Sequence, residues 1–423
     1  MGMTIVEKIL ARASGAAKVS PGDMVVVEVD CVVLYDGNFF SFGKAGTRDV
    51  LKIKDPDRVV VIFDHEVPAP TAQAAALQDG GRDFVKQFGI KRFHDVGRSG
   101  ICHAVVADNA YALPGSVLVA SDSHTCSAGA FNCAARGVAG PDIMFSLATG
   151  QTWFKVGETI RYDLNGRLQK GVSMKDVFLH IAGTFGAHAT QNVEFGGSGL
   201  PYLSINARRT MTTMGAELSA EFATFEADDV LIDYVKERNP APFEPQAPDA
   251  DAKYKDRRPI DLSRIEPLVA LPDAVIDNSV PVGEVAGTAI QQAFIGSCAN
   301  GTLDDLAAAA SVVSGRQVAP GVRLIVTPAT QAIYRQALKA GYVETLIEAG
   351  AVVTNATCGA CFGGHMGLLG PGETCLTSST RNFKGRMGDP SARIYMASPA
   401  TVAASALAGT ITHPGEFFQG DAS

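Results

Sequence analysis

Val59-Val60-Val61-Ile62-Phe63-Asp64-His65 is a run of apolar, mostly β-branched residues closed abruptly by a carboxylate and an imidazole. Such a run reads as a short strand, and Ala69 to Phe88, just beyond it, carries helical spacing. The alternation continues outward. Met24 to Leu34, Ser116 to Ala120, Ala293 to Ile295, Val322 to Val326, Ala351 to Val353 and Arg393 to Met396 read as further strands. Pro141 to Gly150, Met174 to Phe185, Leu303 to Val313, Thr330 to Ala340 and Pro399 to Leu407 read as the helices among them, which makes the chain α/β. Met1 to Ala16, with Glu7, Lys8 and Arg12 among apolar positions, reads as a surface helix.

Chemistry gathers where these strands end. Asp64-His65 follows one, Asp122-Ser123-His124 follows Ser116 to Ala120, and Cys298 follows Ala293 to Ile295. Ligands of open α/β sheets bind beyond the carboxyl ends of strands, so three such places are expected to form a cleft. His65, His103 and His124 each have a carboxylate within plausible reach. A carboxylate-held imidazole is a tuned proton donor or a rigid binding group, and it is equally an ordinary hydrogen-bonded turn residue. Asp122-Ser123-His124-Thr125 also fits a capping turn before a helical segment. Arg381 and Arg386, with Ser378, Ser379, Asn382 and Gly385 around them, suit a loop that clamps carboxylates. Glu217 alone reads as a solvent-facing charge.

Cys358-Gly359-Ala360-Cys361 puts two thiols on one turn, a spacing that grips a single metal centre. Cys298 is the candidate third ligand, and three thiolates without an evident fourth point to a centre left open to substrate. A zinc protein using Cys358 and Cys361 is the competing reading. Cys31, Cys102, Cys126, Cys133 and Cys375 read as small buried residues, with Cys126 of interest beside His124.

Composition narrows the classes. A 423-residue chain that is 46% hydrophobic can bury large cores. A net charge of −8 without basic runs argues against nucleic acid as a partner. No window approaches a membrane span or a secretory signal, which places the expected protein in the cytoplasm, a reducing compartment that keeps thiols free. Asn239 to Pro259, rich in Pro and charge, reads as a linker or exposed crossing before a C-terminal domain of about 160 residues. No internal sequence repeat is visible.

Taken together, four motifs resemble the aconitase superfamily and, within it, the large subunits of isopropylmalate dehydratases. They are Asp122-Ser123-His124-Thr125-Cys126, Gly296-Ser297-Cys298-Ala299-Asn300, Cys358-Gly359-Ala360-Cys361-Phe362-Gly363-Gly364-His365-Met366-Gly367 and Arg381-Asn382-Phe383-Lys384-Gly385-Arg386-Met387-Gly388. The likeness runs in order from Met3-Thr4-Ile5-Val6 to Ile411-Thr412-His413-Pro414. It implies three α/β/α domains around a cluster-containing cleft: 1–158, 159–238 and, after a linker at 239–261, 262–423 with the cluster cysteines. It also implies a [4Fe–4S] cluster on Cys298, Cys358 and Cys361 with one iron not ligated by cysteine. The implied acid–base pairs are Asp64 with His65, Asp122 with His103, and Glu217 with His124, while Ser123, Arg381 and Arg386 bind substrate carboxylates.

The implied reaction is dehydration and rehydration of a hydroxy dicarboxylate, with 3-isopropylmalate/2-isopropylmalate isomerisation leading. The alternatives are homoaconitate, citramalate, dimethylmalate or a specialised alkylmalate, or a non-catalytic cluster protein that binds RNA. In aconitase a fourth, swivelling domain supplies a serine base and further arginines. This chain is expected to take that domain from a separate small subunit, as a heterodimer or higher heteromer, and to be inactive alone. Departures from the family pattern bear on substrate: Thr213 and Thr380 stand where asparagine is usual, Ala299 where threonine is, Ala356-Thr357 where Pro-Ser is common, and Phe39-Phe40 where small or polar residues are. The two phenylalanines would suit a bulkier, more apolar substituent or a packing contact with the partner.

Overall fold

The strand that begins at Val59 lies inside a five-stranded sheet. A computed structural model describes residues 2–42, 49 and 51–418. In it the sheet runs Arg92–His94, Val59–Ile62, Cys31–Tyr35, Val117–Ala120, Ala134–Gly137, every neighbouring pair parallel. Counted along the chain this order is 3-2-1-4-5, the doubly wound arrangement, and it reverses between Cys31–Tyr35 and Val117–Ala120. Val59 to Ile62 are fully buried, as a β-branched run covered on both faces must be.

The stretch Met24 to Leu34, read as one strand, is two. Met24–Glu28 pairs antiparallel with Gln151–Lys155 in a separate ribbon, and Cys31–Tyr35 enters the parallel sheet. Asp30 makes the break: its N–H donates to the Val117 carbonyl at 2.9 Å and its carboxylate accepts from the Val117 N–H at 2.9 Å.

A second sheet has seven strands, in the order Ser279–Pro281, Leu268–Ala270, Arg393–Ala397, Thr374–Thr377, Gln292–Ile295, Arg323–Val326, Val352–Val353. The last five are parallel, and Leu268–Ala270 is antiparallel to both its neighbours. Within the parallel part the order is again 3-2-1-4-5 when read from the Val352 edge, with its reversal between Gln292–Ile295 and Thr374–Thr377. The topology therefore repeats where the sequence does not. A four-stranded sheet of Ala223–Phe225, Gln191–Gly196, Glu158–Asn165 and Asp256–Asp261 completes the set, so the segment 239–261 contributes a strand at its end.

The chain divides into two compact units. The first holds the residues up to Asp64, Pro68–Asn165 and His188–Ile260; the second holds His65–Val67, Gly166–Ala187 and the residues from Asp261 onward. The N-terminal helix, Ile5–Ser14, is not the surface helix expected. Ile5, Val6, Ile9 and Leu10 are fully buried, and Glu7 is spent locally: its carboxylate accepts from the Thr4 N–H at 2.8 Å in a capping box. Among the described residues no helix is long and apolar enough to cross a membrane.

Candidate functional site

In the first unit the site grows from the strand Val117–Ala120. Beyond it the chain turns at Asp122, which caps the 3-10 segment Ser123–Phe131 by accepting from the His124 N–H at 2.8 Å. The capping reading holds, and the same carboxylate oxygen is 2.8 Å from His103 Nε2. His103 stands on the helix Cys102–Asp108, whose Cys102 N–H donates to Asp64 at 2.9 Å. Asp64 is completely buried at the end of its own strand. His124 Nε2 lies 3.1 Å from Glu217 Oε1. Glu217 is not in a helix but in the turn that follows Ile205–Met214, where the His188 N–H holds the next carbonyl, that of Leu218, at 2.7 Å.

Helix Ile205–Met214 is tied to the 3-10 segment by Thr212 Oγ1, which donates to the Ser127 carbonyl at 2.9 Å, and by the Cys126 thiol, 3.5 Å from the Thr213 carbonyl. Cys126 is thereby explained as scaffold. Burial pushes its thiol up to about 12, and does the same to Cys31 and Cys133. Ser123, by contrast, is exposed.

Electrostatics divide the roles of the imidazoles and carboxylates. Burial works against the Asp122 charge, but His103 and then His124 outweigh it and hold Asp122 well below the usual carboxylate range. Burial also works against protonated His124, and the hydrogen bonds and charges of Asp122 and Glu217 overcome it, raising His124 above its ordinary value. An ionised carboxylate only accepts, so the Nε2 atoms facing Asp122 and Glu217 are assigned as protonated. The arrangement can give a proton from His124 and keep His103 in a fixed tautomer.

The loop before this site carries Phe39 and Phe40, and they part company. Phe39 is 1% exposed and packs edge-on against Phe63 and Phe84, with ring centroids 6.1 and 5.4 Å away, so it is core; Phe40 is 54% exposed. Asn38, just ahead of them, donates from Nδ2 to Ser121 Oγ at 2.7 Å. The bond ties the two segments that leave the sheet where its strand order reverses.

In the second unit Gln292–Ile295 ends at Gly296, whose N–H donates to Ser378 Oγ at 3.2 Å, again across the reversal of strand order. Ser297 follows with φ +80°, a left-handed conformation unusual for a serine, and Cys298 sits on the short turn Ser297–Asn300. Asn300 is held from behind, its Nδ2 donating to Asp305 at 3.0 Å.

Cys358 and Cys361 share one 3-10 turn, with the Cys361 N–H donating to the Cys358 carbonyl at 3.2 Å. Gly359 inside that turn has φ +58°, and a Cβ there would press on Thr327 Oγ1 at 3.1 Å. Thr380 Oγ1 lies 3.7 Å from Cys361 Sγ. A ring nitrogen of His65 is within 4.8 Å of the Cys358 thiol, and the ring meets Phe362 edge-on at 5.3 Å.

Arg381 and Arg386 are both half-buried and stand on a loop that its neighbours fix. Completely buried Lys175 donates to the Ser379 carbonyl at 2.9 Å, and Asn382 Nδ2 donates to the carbonyls of Leu271 at 2.6 Å and Ala274 at 3.0 Å. The buried Nε of Arg386 has no hydrogen-bond partner among the described residues. Lys175 went unread in the sequence; a Lys-Asp pair at the start of the mostly apolar stretch Met174–Phe185 was the available signal.

The three candidate ligands fit an iron–sulfur cluster. Cys298, Cys358 and Cys361 are undisulfided, buried thiols on turns, a soft donor set with a hydroxyl beside one sulfur.

Known proteins bear on the same residues. A family profile described as "Aconitase family (aconitate hydratase)" matches residues 51–287 and 275–409. A protein of Mycolicibacterium smegmatis named 3-isopropylmalate dehydratase large subunit is 55% identical over 412 residues, 97% of each chain. From Methanothermobacter thermautotrophicus, a probable 3-isopropylmalate dehydratase large subunit is 43% identical over 98% of this chain and 99% of its own. A probable methanogen homoaconitase large subunit from the same organism is 41% identical over 97% of each. Matches of that length and identity are shared ancestry, not local likeness, and the chain belongs to the aconitase family, as a hydro-lyase of that type.

Proposed function

We propose that the chain is the large subunit of a [4Fe–4S]-dependent dehydratase that interconverts 2-isopropylmalate and 3-isopropylmalate. The near-full-length identity to the mycobacterial relative carries this reading. In it Cys298, Cys358 and Cys361 hold the cluster, and one iron has no cysteine. When bound, that group supplies Lewis acidity toward a substrate hydroxyl and carboxylate.

The chain's own residues do the rest. Arg381 and Arg386 take substrate carboxylates as bidentate forks, and the bonds that fix Ser379 and Asn382 on either side of Arg381 support that role. Ser123 donates a further hydrogen bond. His124, whose protonated form Asp122 and Glu217 favour, delivers its proton to the departing hydroxyl, which leaves as water. His103 orients water through the ring nitrogen not engaged by Asp122, and Asp64 and His65 form the remaining acid–base group. The base that takes the carbon-bound proton comes from a small subunit, whose existence the relatives' name "large subunit" supports. A second reading, a dehydratase for another malate or citrate derivative, is favoured by the homoaconitase relative.

The test is a substrate panel with the reconstituted two-subunit enzyme. Turnover of 2-isopropylmalate above homoaconitate, citramalate and dimethylmalate is expected. Indifference to isopropylmalate while another member turns over would replace the first reading with the second.

A further inference from the structure

Arg161 and Arg208, both buried, spend their charges on carboxylates, Arg161 on Glu194 and Glu226 at 2.7 Å and Arg208 on Asp228 at 2.6 and 2.8 Å. Arg386 does not. It is half-buried, its Nε is shut off from water, and among the described residues its guanidinium has neither an ion pair nor a hydrogen bond. What it has is a ring. The guanidinium carbon lies over the ring of Phe383, 5.5 Å from the centroid, and Phe383 is otherwise 45% exposed.

Both residues sit on fixed backbone. The Arg386 N–H donates to the Phe383 carbonyl at 3.0 Å, closing the turn that brings the two side chains together. Asn382, next to Phe383, is anchored on the Leu271 and Ala274 carbonyls, and the carbonyl of Met387, next to Arg386, accepts from the Leu369 N–H at 2.8 Å. The same loop lies against the cysteine turn. Thr380 Oγ1 is 3.7 Å from Cys361 Sγ, and a Cβ on Gly363, two residues after Cys361, would stand 2.7 Å from the Arg386 carbonyl oxygen. An uncommitted guanidinium is therefore carried on backbone that touches the end of the Cys358–Cys361 turn, and an aromatic face steadies it. A cation over a ring is held by the ring quadrupole, and that attraction, unlike an ion pair, leaves the N–H groups of the fork open to an incoming carboxylate. An aspartate in the place of Phe383 would hold the guanidinium and also fill it.

We propose that Phe383 is a positioning residue for Arg386, whose ring fixes the guanidinium for a substrate carboxylate without occupying it. The inference rests on the reading of Arg386 as a substrate-binding residue. Its test is a pair of variants in the reconstituted two-subunit enzyme, with the best substrate of the panel above. Phe383→Leu keeps an apolar side chain and removes the π face; Phe383→Tyr keeps the face. Phe383→Leu is expected to raise KM by about fivefold and to leave kcat within about twofold, while Phe383→Tyr stays within about twofold of wild type in both. In an Arg386→Ala background Phe383→Leu is expected to lower kcat/KM no further, because the ring then has nothing to hold. Thermal melts establish that each variant is folded.

An unmoved KM in Phe383→Leu, an equal rise in Phe383→Tyr, or the full loss repeated in the Arg386→Ala background would overturn the proposal. Chemical modification separates its failure from that of the underlying reading. Phenylglyoxal labelling of Arg386, located by mass spectrometry, needs no substrate, and its rate is expected to rise in Phe383→Leu and not in Phe383→Tyr. If Arg386→Ala leaves KM where it was, the substrate role of Arg386 fails, and a labelling rate that rises only in Phe383→Leu still upholds the hold of the ring on the guanidinium. Equal labelling in wild type and Phe383→Leu overturns that hold.

Discussion

His124 lies between two carboxylates and Asp122 between two imidazoles, with His124 Nδ1 3.6 Å from Asp122 and Nε2 3.1 Å from Glu217, so each biases the protonation of the others. On the proposed mechanism His124→Asn removes the proton given to the departing hydroxyl, and it is expected to lower kcat/KM by about 10² to 10⁴, measured in the two-subunit enzyme. The same contacts predict opposite pH dependences of stability. The folded pKa of His124 is raised, so its contribution is fully present below about pH 6.5 and is lost as pH rises through the folded value. The folded pKa of Asp122 is depressed, so its contribution is present above about pH 4 and is lost as pH falls through the folded value. Melting temperatures of His124→Asn and Asp122→Asn against wild type across pH read both. A His124→Asn difference that grows toward alkaline pH would contradict the assignment. At this scale the sequence offered candidate residues but no sign of what holds them: the Cys102 N–H on Asp64 and the Ser121 hydroxyl on Asn38 bridge 38 and 83 positions of chain.

Among the elements, those legible from sequence were the ones whose residues made an unbroken local pattern. Val59–Ile62 and Leu303–Val313 were read close to their true bounds for that reason. Arg92–His94 has no apolar run to read, and Ile205–Met214 is dense in polar residues though buried, because Arg208 satisfies itself on Asp228 at 2.6 and 2.8 Å. The Ile5–Ser14 helix was misplaced to the surface because the charge on Glu7 gave no sign that its own helix cap would consume it. The 3-10 segment Ser123–Phe131 makes the sharpest prediction at this scale. A Cβ on Gly129 would collide with the Ala223 carbonyl oxygen of the neighbouring strand, which has no freedom to yield. Gly129→Ala is expected to destabilise the protein by about 2 kcal/mol, read by denaturant unfolding, and to weaken activity through displaced His124. An unchanged unfolding midpoint would mean that the segment packs less tightly than described.

For the whole molecule, two doubly wound sheets of the same strand order each carry candidate site residues beyond a strand that flanks the reversal, Asp122 and His124 on one and Cys298 and Arg381 on the other. The fold class was legible because alternation of strand and helix is a local property; the repeated order was not, because pairing between strands distant in the chain leaves no local mark. The purified large subunit with its cluster restored is expected to show no measurable dehydration of isopropylmalate until the small subunit is added. Robust turnover by the single chain would remove the need for a second subunit. The most direct test of the central claim is an iron and sulfide assay with a visible absorption spectrum after anaerobic reconstitution of this chain. Wild type and Cys126→Ser are expected to hold about four irons with matching sulfide, and Cys298→Ser, Cys358→Ser and Cys361→Ser to lose them. Zinc without sulfide in wild type, or a full cluster in the Cys358→Ser variant, would contradict the account.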